Sequence, residues 1–138
     1  MCTSVLVVDD HPAIRAALAR LLSLSGYNVR SASSGPEAID AVRRLAPEVA
    51  ILDVMMPGMC GLEVLAAIRG DPASAGVRVI FYSAADDPLV RREAARLGAD
   101  DYLVKCRAGL NDLLASVLRS ATSAAALAVP PRPDTTLH

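Results

Sequence analysis

Residues 49–61 read VAILDVMMPGMCG, a short apolar run followed by an acid and a turn. Its first four residues are apolar on both alternating faces, which is typical of a strand buried on both sides in a parallel sheet. The run ends at a carboxylate, Asp53, and the chain then turns at Pro57-Gly58. Because an ionised aspartate is costly to bury without a partner, Asp53 lies either at the solvated edge of a sheet or in a cluster of charges.

Similar apolar runs recur along the chain and alternate with helical patterns. Strands are predicted at 4–8, 28–32, 49–53, 77–82 and 101–105, and helices at about 11–25, 35–45, 62–69, 88–97 and 109–126. Asp10 is the expected N-cap of the first helix. The alternating character of 28–32 favours a sheet edge for that strand. Five strands alternating with five helices indicate an α/β fold, a parallel sheet with helices on both faces.

The bulk composition bounds the function. With 138 residues and a formal net charge of −1, one domain is expected, and nothing favours binding to nucleic acid or to an anionic membrane. No apolar run approaches the roughly 20 residues of a membrane span. Cys2, Cys60 and Cys106 lie far apart, which favours a cytoplasmic protein without disulfides or structural zinc. The domain is expected to cover 1–122, and 123–138 to form the end of the last helix and a proline-rich tail or linker.

Polar side chains stand at the ends of four predicted strands. Asp9 and Asp10 follow the first strand, Asp53 ends the third, Ser83 follows the fourth and Lys105 ends the fifth. Because the carboxyl ends of parallel strands share one edge, where open α/β folds bind ligands, these side chains are expected to converge. Lys105 is also the only lysine among 14 basic residues. The coincidence favours a functional site over a set of unrelated caps and loop residues.

The chemistry of this edge can be inferred from the residue types. Three carboxylates and one ammonium leave a charge of about −2, which a hard divalent cation would balance. Oxygen ligands without a set of histidines or cysteines favour Mg²⁺ over zinc. A carboxylate beside Mg²⁺ and an ammonium is a competent nucleophile toward phosphorus, and a hydroxyl can bind a phosphoryl oxygen. The residues therefore predict that an aspartyl phosphate forms and is hydrolysed at Asp53.

Four motifs together resemble the receiver domain of response regulators in two-component signalling. They are VVDD at 7–10, DVMMPGMCG at 53–61, YSA at 82–84 and LGADDYLVK at 97–105, and the resemblance spans about residues 4–120. It implies a flavodoxin-like, doubly wound (βα)5 fold with the strand order 2-1-3-4-5. It also implies a signalling switch and not an enzyme, with self-catalysed phosphorylation and dephosphorylation only. The phosphoryl donor would be a sensor histidine kinase or a phosphotransfer protein.

The resemblance also implies a metal site and its ligands. Asp53 would be the phosphoacceptor, and Asp10 and Asp53 would bind Mg²⁺ through their side chains. Asp9 would act through water. The backbone carbonyl of Met55 would be the third protein ligand.

A switch and an output surface follow from the same resemblance. Ser83 and Lys105 would contact the phosphoryl oxygens, and Tyr102 would be an aromatic switch whose rotamer follows Ser83; the alternative for Tyr102 is an ordinary residue of an amphipathic strand. The switched surface would comprise the fourth helix, the fifth strand and the fifth helix, which would act on an output partner or domain and could support a homodimer. The chain would be a stand-alone regulator or the receiver part of a longer one.

Two positions depart from the family pattern. Cys106 follows Lys105 where the family usually has proline, often after a cis bond. Because a cis bond before another residue costs roughly 2.5–4 kcal/mol, a trans Lys105–Cys106 bond and a re-routed loop are predicted. A packed, inert thiol is expected at Cys106, with a redox role as the alternative. Cys60 stands where the family often has aspartate and is expected to lie away from the chemistry.

Two rival functions are compatible with parts of this pattern. A phosphatase of the haloacid-dehalogenase type also uses an aspartyl phosphate, Mg²⁺, a hydroxyl and a lysine. That family has a second acid two residues after the nucleophile, and here the position is Met55, which argues against it. A degenerate receiver that acts only as a docking module is the other alternative, and the complete set of polar strand ends argues against it.

Overall fold

Five short apolar runs form the strands of one parallel sheet, and an α-helix follows each strand. The computed structural model describes residues 3–128. The strands are β1 (Ser4–Val8), β2 (Asn28–Ala32), β3 (Val49–Leu52), β4 (Arg78–Ser83) and β5 (Asp101–Val104). The helices are α1 (Pro12–Leu24), α2 (Gly35–Arg44), α3 (Gly61–Gly70), α4 (Pro88–Arg96) and α5 (Leu110–Ala128). Every predicted element is present, with bounds that agree to within two residues. The predicted tail lies largely outside the described residues.

The sheet has the strand order β2-β1-β3-β4-β5, as predicted, and every neighbouring pair of strands is parallel. β2 lies at one edge, in agreement with its alternating sequence, and β5 lies at the other. β3 occupies the centre, and all four of its residues are buried. The expected doubly wound α/β architecture is therefore confirmed, with the end of β3 in the middle of the carboxyl edge.

Alternating side chains of the strands build two separate apolar layers. The layer against α2, α3 and α4 contains Leu6, Val8, Ala50, Leu52, Val79 and Phe81. The layer against α1 and α5 contains Val5, Val7, Val49, Ile51 and Ile80. Because both faces are covered, the central strands are apolar throughout, and polar side chains are accommodated at their ends. Within residues 3–128, no helix is both long and apolar enough to cross a membrane.

The first helix begins one residue later than its expected cap. His11, and not Asp10, occupies the N-cap position of α1, and its side chain makes no capping hydrogen bond. The preceding acids are used differently, because the Asp9 carboxylate accepts the backbone N–H of His11 at 2.9 Å. The prediction that Asp10 caps α1 was therefore wrong. The helix ends before Gly26, whose φ of +96° is the left-handed conformation that favours glycine.

The loop between β3 and α3 depends on a close approach of two backbone segments. A Cβ atom at Gly61 would lie 2.2 Å from the carbonyl oxygen of Asp53 and 2.9 Å from the ring of Phe81. The N–H of Gly61 donates to the carbonyl of Val54 at 2.9 Å, which closes the loop. Gly58 has a φ of +82° at the turn. Glycine at these two positions therefore lets the chain fold back onto Asp53 directly after β3.

Candidate functional site

Lys105 joins the ends of three strands at the carboxyl edge of the sheet. Its Nζ atom lies 2.9 Å from Oδ2 of Asp9, which follows β1, and 3.5 Å from Oδ2 of Asp53, which follows β3. The backbone N–H of Lys105 donates to the carbonyl of Ser83 at 2.8 Å, so the end of β4 is tied to the same place. The structure thus brings Asp9, Asp10, Asp53, Ser83 and Lys105 to one edge.

The two carboxylates that Lys105 contacts are buried. Asp9 is 2 % exposed and Asp53 is 4 % exposed. Burial favours the neutral amine of Lys105, but the hydrogen bond to Asp9 and the charges of Asp53 and Asp9 outweigh it and raise the pKa of Lys105. The ammonium form is therefore held between two carboxylates that would otherwise repel each other in a medium of low dielectric constant.

Each buried carboxylate is oriented by a backbone N–H two residues further along the chain. Oδ1 of Asp9 accepts from His11 at 2.9 Å, and Oδ1 of Asp53 accepts from Met55 at 3.2 Å. This local hydrogen bond is a common one for aspartate at the end of a strand. It leaves Oδ2 of each residue directed at Lys105. Arg15 on α1 supports the arrangement, because its guanidinium donates to the backbone carbonyl of Asp9 at 2.8 Å.

Asp10 supplies an oxygen that no described residue hydrogen-bonds. Its Oδ1 atom is buried and accepts no hydrogen bond within residues 3–128. One donor atom from each of Asp9, Asp10, His11 and Asp53 lies within 4.8 Å of the others. A buried, unpartnered carboxylate oxygen beside two further carboxylates fits a hard divalent cation. The cluster could therefore hold a metal ion, and its donor atoms agree with the oxygen-rich set expected from the sequence.

His11 is a member of this cluster that the sequence reasoning missed. The signal was present, because His11 directly follows the acid pair and lies two residues after Asp9. The helical pattern alone predicts only that His11 lies at the start of α1. Its Nδ1 atom lies 3.3 Å from Oδ1 of Asp9 and 3.2 Å from Oδ1 of Asp10.

Ser83 and Tyr102 both contact Ala85, in the loop from β4 to α4. The fully buried Ser83 accepts the backbone N–H of Ala85 through Oγ at 3.2 Å. The hydroxyl of Tyr102 donates to the carbonyl of Ala85 at 2.7 Å. Burial raises the pKa of Tyr102, and the guanidinium of Arg91 lies 5.6 Å from the centre of its ring. Ala85 therefore links the predicted phosphoryl-binding hydroxyl to the predicted aromatic switch.

The loop after β5 carries the clearest departure from the family pattern. No peptide bond between described residues is cis, so the Lys105–Cys106 bond is trans, as predicted. The N–H groups of Arg107 and Ala108 both donate to the carbonyl of Val104, which forms a tight turn. Cys106 is exposed on this turn, so the expectation of a packed thiol was wrong. Lys105 nevertheless reaches both carboxylates without the usual proline.

Comparison with known proteins identifies the family. The sequence model of one protein family, the response regulator receiver domain, matches residues 5–118. The chain belongs to this family. Response regulator MprA of Mycobacterium tuberculosis is 43 % identical over 115 residues, which cover 83 % of this chain and 49 % of that protein. The chain spans about half the length of the curated relatives it matches.

Solved structures agree with this assignment. The chemotaxis protein CheY4 of Vibrio cholerae superimposes with a TM-score of 0.81 at 30 % identity, covering 87 % of this chain and 99 % of that one. The signal receiver domain of NarL from Mycobacterium tuberculosis gives a TM-score of 0.78 at 36 % identity, covering 88 % and 97 %. The fold and the two-component receiver function expected from the sequence are thereby confirmed, and the phosphatase alternative is not favoured.

Replacing Lys105 with methionine is expected to lower the free energy of unfolding by about 1.5–3 kcal/mol in the absence of divalent cations. Methionine keeps most of the side-chain length but leaves the buried Asp9 and Asp53 without their ammonium. Urea denaturation at neutral pH measures the difference.

Arg107→Met is the matched control, two residues away. The Arg107 side chain is 67 % exposed and pairs with Asp86, so its replacement is expected to cost less than about 1 kcal/mol. Equal losses in the two variants would contradict the role assigned to Lys105.

Proposed function

We propose that Asp53 accepts a phosphoryl group in a Mg²⁺-dependent reaction. The observation that carries this proposal is the position of Lys105, whose ammonium lies against Asp9 and Asp53 beside the unpartnered oxygen of Asp10. Three carboxylates with a single ammonium retain an excess of negative charge, which suits a site that takes up a cation. Family membership implies a histidine kinase partner and an output function; the donor to this particular chain is a sensor histidine kinase or a phosphotransfer protein.

The side chains of Asp10 and Asp53 would hold Mg²⁺, with Asp9 acting through water and the Met55 carbonyl as a further ligand. The buried, unpartnered Oδ1 of Asp10 supports its place in this set. Bound Mg²⁺ supplies positive charge that stabilises a phosphoryl group during transfer. Lys105 supplies the second positive charge, and the hydroxyl of Ser83 is the hydrogen-bond donor for a phosphoryl oxygen.

The reaction at Asp53 is a displacement at phosphorus. A carboxylate oxygen of Asp53 forms a bond to phosphorus while the bond from phosphorus to the donor histidine nitrogen breaks, and that nitrogen keeps the electron pair. In dephosphorylation a water oxygen forms a bond to phosphorus while the bond from phosphorus to Asp53 breaks. Asp53 keeps the electron pair as a carboxylate, and the two protons of the water leave with the inorganic phosphate. Lys105 moves from its contact with Asp9 toward the phosphoryl oxygens, so that its ammonium exchanges one anionic partner for another. This self-catalysed cycle makes the chain a switch and not an enzyme acting on other substrates.

The switch acts through Ala85. When Ser83 turns its hydroxyl toward the phosphoryl group, it gives up the N–H of Ala85, and the loop that also holds the Tyr102 hydroxyl rearranges. Tyr102 then changes its rotamer, and the surface formed by α4, β5 and α5 changes its packing. This surface contacts the output partner or output domain, or a second copy in a homodimer, within a receiver domain that covers 1–122. The 123–138 segment is assigned outside the receiver domain.

Incubation of the protein with Mg²⁺ and a small acyl-phosphate donor is expected to add the mass of one phosphoryl group. The adduct should be stable in acid and labile in base, as an acyl phosphate is. Intact-mass spectrometry measures it. Asp53→Asn should show no adduct, because the amide is not a nucleophile toward phosphorus.

Asp53→Asn should lose the adduct, whereas Asp10→Ala should still form it at high Mg²⁺. This difference would distinguish the phosphoacceptor from a residue that only binds the metal. A wild-type protein that gains no base-labile phosphate under these conditions contradicts the proposal. That outcome would favour a docking module that works without phosphorylation.

The proposed switch predicts a change at Tyr102 when Asp53 is phosphorylated. The chain has three tyrosines, so each can be followed by ¹⁹F NMR after incorporation of fluorotyrosine. The Tyr102 resonance is expected to shift on addition of Mg²⁺ and acyl phosphate, since its hydroxyl leaves the Ala85 carbonyl. Tyr27, in the turn between α1 and β2, should keep its resonance and serves as the internal reference. An unchanged Tyr102 resonance in a fully phosphorylated sample would overturn the switch.

A further inference from the structure

His11 places an imidazole at the rim of the carboxylate cluster. Its Nδ1 atom lies 3.3 Å from Oδ1 of Asp9 and 3.2 Å from Oδ1 of Asp10. Its side chain is 63 % exposed, so the ring approaches the cluster from the solvent side. Lys105 contacts Asp9 and Asp53 through their Oδ2 atoms and not through the Oδ1 atom of Asp9 that faces His11.

These separations match those of donor atoms that share one ion. Two donors about 2.1 Å from the same cation stand about 3.0 Å apart at adjacent octahedral positions and about 3.4 Å apart in a tetrahedral site. The Nδ1 distances to the two carboxylate oxygens fall between these values. One donor atom from each of Asp9, Asp10, His11 and Asp53 lies within 4.8 Å of the others, so Nδ1 of His11 is close enough to share an ion with Asp10 and Asp53.

His11 directs its imidazole to the carboxylate cluster and does not use it to cap α1, because Nδ1 lies within hydrogen-bond distance, 3.3 Å, of Oδ1 of Asp9. It is the N-cap of α1, with φ −83° and ψ 111°, where serine, threonine, aspartate and asparagine are preferred because their oxygens accept a hydrogen bond from the helix. The imidazole of His11 makes no such bond. The backbone N–H of His11 instead donates to Asp9, which fixes the residue beside the cluster.

We propose that His11 is a direct ligand, through Nδ1, of the cation in this site, and that it increases the preference of the site for first-row transition ions over Mg²⁺. Imidazole nitrogen suits these ions, whereas Mg²⁺ favours carboxylate, carbonyl and water oxygens. The inference rests on the metal site of the proposed function and deepens it, because an all-oxygen site lacks the nitrogen donor that strengthens binding of these ions. The metal that loads the receiver would then depend on which divalent ions are available to it.

Pulsed EPR of bound Mn²⁺ tests the ligand directly. The untagged full-length protein is expected to show ¹⁴N couplings of a coordinated imidazole. His11→Ser should remove them while Mn²⁺ stays bound, and serine keeps a favourable N-cap for α1. His138→Asn is the matched control, since the chain has only two histidines, and it should retain the couplings. Asp10→Asn should weaken Mn²⁺ binding, which places the ion at this cluster.

Calorimetric titrations measure the preference. His11→Ser is expected to weaken Ni²⁺ binding at least tenfold, since even partners outside the ligand shell contribute about 10–100-fold to metal affinity. Its Mg²⁺ affinity should stay within about twofold of the wild type, given the oxygen preference of Mg²⁺.

Three results overturn the inference: no ¹⁴N coupling in the wild type, coupling that survives in His11→Ser, or equal losses of Ni²⁺ and Mg²⁺ affinity. In the first case the imidazole only hydrogen-bonds the carboxylates. Phosphorylation of Asp53 with Mg²⁺ is measured separately on the same variants. A site that phosphorylates but shows no nitrogen ligand refutes the role of His11 and leaves the proposed function intact.

Discussion

The ammonium of Lys105 between Asp9 and Asp53 is the interaction on which the site depends. Two unit charges about 4 Å apart interact by about 4 kcal/mol at an effective dielectric constant near 20, so two buried carboxylates need a cation close by. Parallel pairing of β1 and β3 brings the two acids together, and the hydrogen bond from Lys105 to Ser83 delivers the lysine from β5. The strand order of the sheet thus brings together side chains that are distant in sequence and whose charges compensate one another.

One ammonium does not neutralise three carboxylates, and the net negative charge that remains explains the other features of the site. Oδ1 of Asp10 is buried and accepts no hydrogen bond within residues 3–128, and Nδ1 of His11 lies 3.2 Å from it. A buried oxygen without a hydrogen bond is costly in a protein that only folds, but it suits one that takes up a cation. Phosphorylation would then replace the contact between Lys105 and Asp9, and the change would pass through Ser83 and Ala85.

The order of elements and the composition of the carboxyl edge could be predicted from the sequence. Apolar runs ending in Asp9, Asp53 and Lys105 specify buried parallel strands, and the shared edge of such strands follows from geometry alone. The details of the loops could not be predicted in the same way. His11 occupies the N-cap position that was expected for Asp10, because the Asp9 carboxylate accepts the backbone N–H of His11. Cys106 lies exposed because the turn after Val104 is set by backbone hydrogen bonds, which leave no trace in the hydrophobic pattern.

A crystal structure with Mg²⁺ and beryllium fluoride, a mimic of the phosphoryl group, tests the central claim most directly. The predicted result is beryllium bonded to a carboxylate oxygen of Asp53, with Lys105 moved from Asp9 to a fluorine atom and Ser83 donating to another. Mg²⁺ would lie between Asp10 and Asp53. Beryllium bound to Asp9 or Asp10, or Asp53 left free with Lys105 still against Asp9, would contradict the assignment of Asp53 as the phosphoacceptor.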